Sequence, residues 1–214
     1  MPDVIMAHIF HSAYTERALN SIGSGHRVIL IDNSYSGEMG LYAYRNPHIE
    51  YVKPKVPRKM EGSNLAWQPL SCAESWNLAI SKVETDWFVN VNPDTVVAPQ
   101  AFKLISLCID GLHDPDIVLF RTQVNFNVWW GNTAWLRGHP FDTRYRPCGA
   151  EDEDMLCQIA TAGKKWSKAQ VPVWHQDGGH LNRIDGYCNT EPFRQKWGWK
   201  PHSPEFNALV GGAV

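Results

Sequence analysis

The sequence predicts an α/β layered domain built on a central, mostly parallel sheet flanked by helices. Three observations carry this. Short β-branched and aromatic runs alternate with helical periodicity in the order β-α-β-β-α-β-α through the first half of the chain. Two of those runs end at a carboxylate: Val28-Ile29-Leu30-Ile31 leads into Asp32, and Asp86-Trp87-Phe88-Val89 leads into Asn92-Pro93-Asp94. The chain has 214 residues, 43% apolar and 20% charged, which suffices for one large core.

Val4-Ile5-Met6-Ala7-His8-Ile9 reads as the first strand. Thr15 is placed to cap a short helix with Ala18, Leu19 and Ile22 on its apolar face and Gly23 as its stop. Val28–Ile31 is the second strand and Ile49–Val52 the third. Pro54 to Pro69 is a Pro-punctuated polar loop, long enough to have a function. Ser71-Cys72-Ala73-Glu74 is a capping box. It opens a helix through Lys82 that buries Ala73, Trp76, Ala79, Ile80 and Val83, with Asn77 beside the stripe. The strand ending in Asn92-Pro93-Asp94 comes next. Pro93 cannot donate to a ladder, so the strand stops there and leaves Asp94 at its carboxyl end, where open α/β sheets bind ligands. The same three residues are also ordinary turn formers.

Ala101 to Cys108 is a further amphipathic helix, with Pro99 near its start. In the second half, Ile117–Phe120 and Thr133–Leu136 read as strands, separated by the aromatic run Phe126–Gly131. Val171–His175 is a last short strand. A histidine in that position is either a hydrogen-bonded structural residue or a ligand. Pro192 to Lys200 is aromatic and basic, and would either close over an anionic ligand or cap the fold.

Gly149-Ala150 leads into four consecutive acids, Glu151-Asp152-Glu153-Asp154, ahead of Met155–Ala160. Acids in a first helical turn favour the helix dipole. Met155, Leu156 and Ile159 lie three, four and seven residues beyond Asp152, so helical spacing sets Asp152 within the apolar stripe. A carboxylate directed at the protein body is costly unless something uses it. Glu153 and Asp154 are expected in solvent.

The net charge of -2 offers no basic footprint for nucleic acid. No apolar run is long enough to span a membrane, and no basic-then-apolar leader opens the chain. Five cysteines without a C-x-x-C pair argue for reduced thiols in a cytosolic setting.

Taken in order, these segments resemble GT-A nucleotide-sugar glycosyltransferases, in particular the family-2-like, rhamnosyltransferase-like group. Ile31-Asp32-Asn33-Ser34 is similar to that family's strand end, and Glu74–Ile80 to its N-x-G-I helix, with Ala79 where glycine is usual. Asn92-Pro93-Asp94 stands where the family carries D-x-D or N-P-D. Phe141-Asp142 and then Glu151–Asp154 resemble its F-D and E-D-x-D. Trp174-His175 with Gly178-Gly179, and Lys196-Trp197-Gly198, resemble its closing segments.

The resemblance implies one GT-A domain. Residues 1–97 would form the nucleotide-sugar-binding half, and 98–214 the acceptor-binding and catalytic half. It implies inverting transfer of rhamnose or another hexose from a UDP- or dTDP-linked donor to a glycan or glycoprotein acceptor, assisted by Mn²⁺ or Mg²⁺. Asp94 and His175 would hold the metal, and Asn92 would hold the ribose or the metal. Asp32 would read N3–H of the base, with Ala7 and Phe10 lining that pocket and Asn77 near the donor. Arg144, Arg183 and Lys196 would meet the diphosphate. Asp152 would be the base, with Glu151 beside the acceptor. Trp129, Trp130, Trp197 and Trp199 are acceptor platforms or packed residues. Asn92 in place of the first Asp weakens metal binding there, and His180 replaces a common serine. The resemblance is compatible with a cytoplasmic enzyme (host cytosol if viral) or one domain of a longer transferase. A sugar nucleotidyltransferase would share the frame but want a Gly-rich phosphate loop, where this chain has His8-Ile9-Phe10-His11. A non-catalytic sugar-binding module is the other alternative.

Overall fold

In a computed structural model the chain is organised around one seven-stranded sheet. The structure describes residues 1–9, 11–55, 59–61, 64–66, 69–123, 125–175 and 189–211, with the main chain alone for 59–61, 64–66 and 125. The first half contains β1 (Asp3–His8), α1 (Ser12–Ile22), β2 (Val28–Asp32), α2 (Gly40–Arg45), β3 (Ile49–Val52), β4 (Lys59–Glu61) and β5 (Asn64–Ala66). It continues with α3 (Cys72–Lys82), β6 (Trp87–Val91) and β7 (Thr95–Val97). The second half contains α4 (Ala101–Asp110), β8 (Ile117–Thr122), β9 (Val128–Asn132), α5 (Thr133–Gly138) and α6 (Glu151–Thr161). Then follow β10 (Lys165–Ala169), β11 (Val173–His175), α7 (Thr190–Trp197) and α8 (Pro204–Val210).

The strand order is β10-β8-β9-β6-β1-β2-β3. Only β9 runs against the others, pairing antiparallel with both β6 and β8. Alternation along β9 sends Trp129 to one face and Trp130 to the other. Trp129 joins the core under α3, α6, α7 and α8, and Trp130 joins the core under α1, α2 and α4. A Cβ at Gly131 would overlap Leu136 Cδ1, so glycine there lets α5 fold back onto β9.

The capping box of α3 has both of its bonds. Glu74 N–H donates to Ser71 Oγ at 3.2 Å, and Ser71 N–H donates to Glu74 Oε2 at 2.8 Å. Other local expectations are corrected. The aromatic run expected between two strands is itself the strand β9. Thr133–Leu136 is helical because Asn132 caps it, accepting from Trp135 N–H at 3.0 Å. Thr15 lies inside α1 rather than at its cap, and its buried Oγ1 meets His8 Nδ1 at 2.7 Å. Within the expected Pro54–Pro69 loop, β4 and β5 form an antiparallel hairpin.

Candidate active site

Six of the seven strands run the same way, so their carboxyl ends share one edge of the sheet. The chain leaves β2 at Asp32, β6 just before Asn92, and β8 at Thr122, the residue after Arg121. Helix α6 leads back to parallel β10, so its first turn, with Glu151 and Asp152, lies toward that edge as well. A groove of about 370 Å³ at the opposite edge is lined by Arg27, Pro47, His48 and Glu50. There Arg27 and Glu50 pair with each other, and Arg27 also reaches Asp3. The charged side chains of that groove are thus already paired.

Asp32 is fully buried, and both carboxylate oxygens are engaged. Oδ1 accepts from Ser34 N–H at 2.8 Å and Ser34 Oγ at 2.5 Å. Oδ2 accepts from Tyr51 OH at 2.9 Å and Met39 N–H at 3.2 Å. Burial alone would raise this carboxyl, but the Ser34, Tyr51 and Met39 donors hold it below the usual carboxylate value. In this structure Asp32 shapes the turn after β2 rather than presenting a free carboxylate to a base. Ala7 is half-buried in β1 and pairs with Ile31 of β2. Phe10 and Arg183 lie outside the described residues, as do His180 and the Gly178-Gly179 pair.

The end of β6 differs. Asn92 is tied to the segment before β9: its N–H donates to Asn127 O at 2.9 Å, and its Oδ1 accepts from Asn90 Nδ2 at 3.0 Å. Asp94 is 7% exposed, and His175 Nε2 stands 3.2 Å from its Oδ2. The pairing of β11 with β7 sets His175 opposite Thr95 and so brings it to Asp94. The other oxygen, Oδ1, is buried without a hydrogen-bond partner. Such an acceptor is costly to leave bare and suits a cation. Among the described residues no three His, Cys, Asp or Glu side chains are grouped as a metal site. Asp94 and His175 are the residues that would hold such a cation.

The four acids that open α6 meet different surroundings. Glu151 is 5% exposed, and its Oε2 has no hydrogen-bond partner. Burial and then the neighbouring Asp152 push its carboxyl up to about 8. Burial, and after it Glu153, hold Asp152 well above the usual carboxylate range. Asp154 overturns the expectation of a solvated side chain: it is fully buried. Asp154 accepts from Tyr145 OH at 3.0 Å, Trp197 Nε1 at 2.6 Å and Gln158 Nε2 at 2.7 Å, and pairs with Lys196 Nζ at 2.8 Å. Lys196 also donates to Asp142 at 2.9 Å. Arg144, largely exposed, forks onto the same Asp142 carboxylate. These two cations, predicted for a diphosphate, are therefore spent on internal carboxylates. Together they hold Asp142 far below its ordinary value, Arg144 first and against burial, then Lys196.

Two further expectations give way to packing. Trp129 and Trp130 are fully buried, so neither can stack on an acceptor. Trp129 lies 5.3 Å edge-on to Phe88, and Trp130 stacks on Phe120 at 5.3 Å. Asn77 clasps the main chain of Phe141, donating to its carbonyl at 2.8 Å and accepting from its N–H at 2.9 Å. That clasp binds α3 to the segment ahead of α6. Trp197 and Trp199 are half-buried, Trp197 through its bond to Asp154.

Arg121 is a residue that periodicity passed over. Its half-buried guanidinium sits 4.6 Å over the Trp166 ring and 5.8 Å from that of Phe126, and Nε has no hydrogen-bond partner. Burial lowers its pKa, while the charges of Asp152 and Glu153 act to raise it. The signal was a lone charge closing the apolar run Ile117–Phe120.

No protein-family model matches this sequence, and no curated protein does. Solved structures share the fold. Glucosyl-3-phosphoglycerate synthase of Mycobacterium tuberculosis, in complex with Mn²⁺, UDP and glucosyl-3-phosphoglycerate, aligns over 94% of this chain and 81% of its own, at a TM-score of 0.64 and 13% identity. TarS of S. aureus aligns over 79% of this chain and 35% of its own, at 0.60 and 14%. TarS 1–349 in complex with UDP-GlcNAc aligns over 85% and 61%, at 0.60 and 13%. The chain thus spans about a third of TarS and under two thirds of that fragment. Identities this low speak to the fold alone, which is the GT-A fold. Among the described residues no helix is long and apolar enough to cross a membrane.

Proposed function

We propose that this chain is an inverting, metal-assisted glycosyltransferase of the hexosyltransferase type. The observation that carries the reading is the Asp94–His175 pair, with one buried Asp94 oxygen left without a donor at the ligand edge of a GT-A sheet. The donor is a UDP- or dTDP-linked sugar, rhamnose or another hexose, and the acceptor a glycan or glycoprotein hydroxyl. The UDP and Mn²⁺ complexes of its structural neighbours support a nucleoside diphosphate and a divalent cation. When bound, that cation neutralises charge on the departing diphosphate. Asp94 offers it a hard oxygen, and His175 offers an imidazole better suited to Mn²⁺ than to Mg²⁺. Asn92, anchored to Asn127, opens the turn that carries Asp94, its carbonyl accepting from Thr95 N–H at 3.0 Å. Asp152 takes the acceptor proton as the hydroxyl attacks the anomeric carbon from the face opposite the diphosphate, which inverts that centre. Glu151 lies beside it. The enzyme acts in the cytoplasm, alone or as one domain of a larger transferase.

The test is nucleoside diphosphate release from UDP-, dTDP- and GDP-sugars with and without Mn²⁺, alongside calorimetric binding of each donor. Metal-dependent release from one donor, lost in Asp94→Ala, is the expected result. Donor binding with no turnover on any acceptor would favour a sugar-binding module. Absence of donor binding across the panel overturns the reading.

A further inference from the structure

Two cysteines stand outside the machinery described above. Cys72 opens α3, and its main-chain N–H donates to the carbonyl of Pro147 at 3.0 Å. Cys148 is the next residue along, so two segments distant in sequence bring the cysteines side by side. The two thiols bear directly on each other's ionisation. Both are free thiols and both are half-buried, within reach of a small reagent. The pairing is braced from two sides. Asn189 Nδ2 donates to the carbonyls of Cys148 and Gly149 at 2.9 Å each, and Arg146 pairs with Glu74 in the first turn of α3. A disulfide needs Cα atoms about 4.4–6.8 Å apart and side chains that face each other. The main-chain bond between residue 72 and the neighbour of residue 148 draws the two Cα atoms toward that range.

We propose that Cys72 and Cys148 form a reversible disulfide, a modification site written by small disulfides of the glutathione class and erased by dithiols. The Cys148 thiolate attacks one sulfur of the small disulfide and expels a thiolate, leaving a mixed disulfide on Cys148. Cys72 then loses its proton to solvent, and its sulfur attacks that of Cys148, expelling the second thiolate. The protein gives up two electrons and two protons in total, and one external disulfide becomes two thiols. Cys148 is the attacking sulfur. The hydrogen bond from Cys72 brings it below the usual thiol value although burial opposes this, whereas Cys72, which donates that bond in a buried setting, stays well above. The bond would fasten the start of α3 to the approach of α6. Gly149 and Ala150 follow Cys148 with φ of 98° and 71°, and then come Glu151 and Asp152.

The experiment is thiol mapping of the intact chain across a glutathione redox series, by alkylation, digestion and mass spectrometry. The readout requires no catalytic activity. The expected result is a single linked pair of peptides carrying Cys72 and Cys148, released by dithiothreitol. In the reduced protein, Cys148 is alkylated roughly tenfold faster than the buried Cys157. Cys72→Ser should strand the mixed disulfide on Cys148, and Cys72→Ala reads the same point if the serine variant does not fold. If neither folds, the wild-type linkage map decides. A link from Cys148 to Cys188 or any other cysteine overturns the proposal. So does a Cys148 that remains open to alkylation throughout the series.

Discussion

At the end of β2, Asp32 is sealed from solvent and serves Ser34 through both N–H and Oγ, Met39 N–H and Tyr51 OH. At the end of β6, Asp94 has His175 on one oxygen and no hydrogen-bond partner on the other. The two positions are comparable in topology, each a carboxylate at the carboxyl end of a parallel strand. The contrast recurs within one turn of α6. Asp154 is saturated by Tyr145, Trp197, Gln158 and Lys196, while Glu151 has a bare oxygen and a carboxyl pushed up to about 8. A carboxylate whose acceptor capacity is filled by fixed donors holds structure together. One left short of donors in a buried setting is available for chemistry.

The comparison can be broken at either kind of site. The largest effect is expected from Asp152→Asn, which should lower transfer by about 10²–10⁴. Its donor affinity and melting temperature should stay near the parent values in calorimetry. If turnover survives, Asp152 is not the base. Next comes Asp154→Ala. It leaves Lys196, Tyr145 and Trp197 without their common acceptor and should cost about 3–5 kcal/mol in urea unfolding. A loss below about 1 kcal/mol would deny it the structural role. Asp32→Asn should cost about 1–3 kcal/mol, because an amide cannot accept from all of the same donors. Asp94→Asn should change stability by less than about 1 kcal/mol, and equal costs at both strand ends would erase the distinction between them.

A dependence on pH is expected as well. The folded protein holds the Glu151 proton up to about pH 8, whereas an unshifted glutamate releases it near 4.5. This contribution to stability is therefore complete below 4.5 and is lost as pH rises toward 8. Glu151→Gln should flatten that decline and stabilise the protein at pH 8 by about 1–2 kcal/mol. A decline of unchanged slope in chemical denaturation would assign it to another group.

Elements whose cues are local were legible in the sequence. Ser71 and Glu74 announce α3 because a capping box is closed within one turn. Parallel strands Val28–Asp32 and Trp87–Val91 stand out because both of their faces are covered. Thr133–Leu136 misled because its β-propensity is outweighed by the Asn132 cap and by the close approach at Gly131. Helical spacing drew attention to Asp152 but misjudged Asp154, since the donors that bury Asp154 come from Tyr145 and from α7. No local pattern reports such partners. Nor could composition separate a tryptophan in a lid from one at the centre of a sheet, where Trp129 and Trp130 sit. The meeting of Asp94 with His175, which the family resemblance implied, depends on the antiparallel pairing of β7 with β11, and no local pattern reports that pairing.

The reversed strand β9 also has a bearing on the order in which the molecule is made. β6 pairs with β1 on one side, Asp3 opposite Phe88, and all the residues of that pairing are available once Val91 has been made. Its other side stays bare until Val128–Asn132 has emerged from the ribosome. During that interval a nascent chain carries an unpaired, apolar strand edge, the feature that invites mispairing with other chains. The consecutive Trp129 and Trp130 end this exposure together, one closing each face of the sheet as the edge is zipped shut.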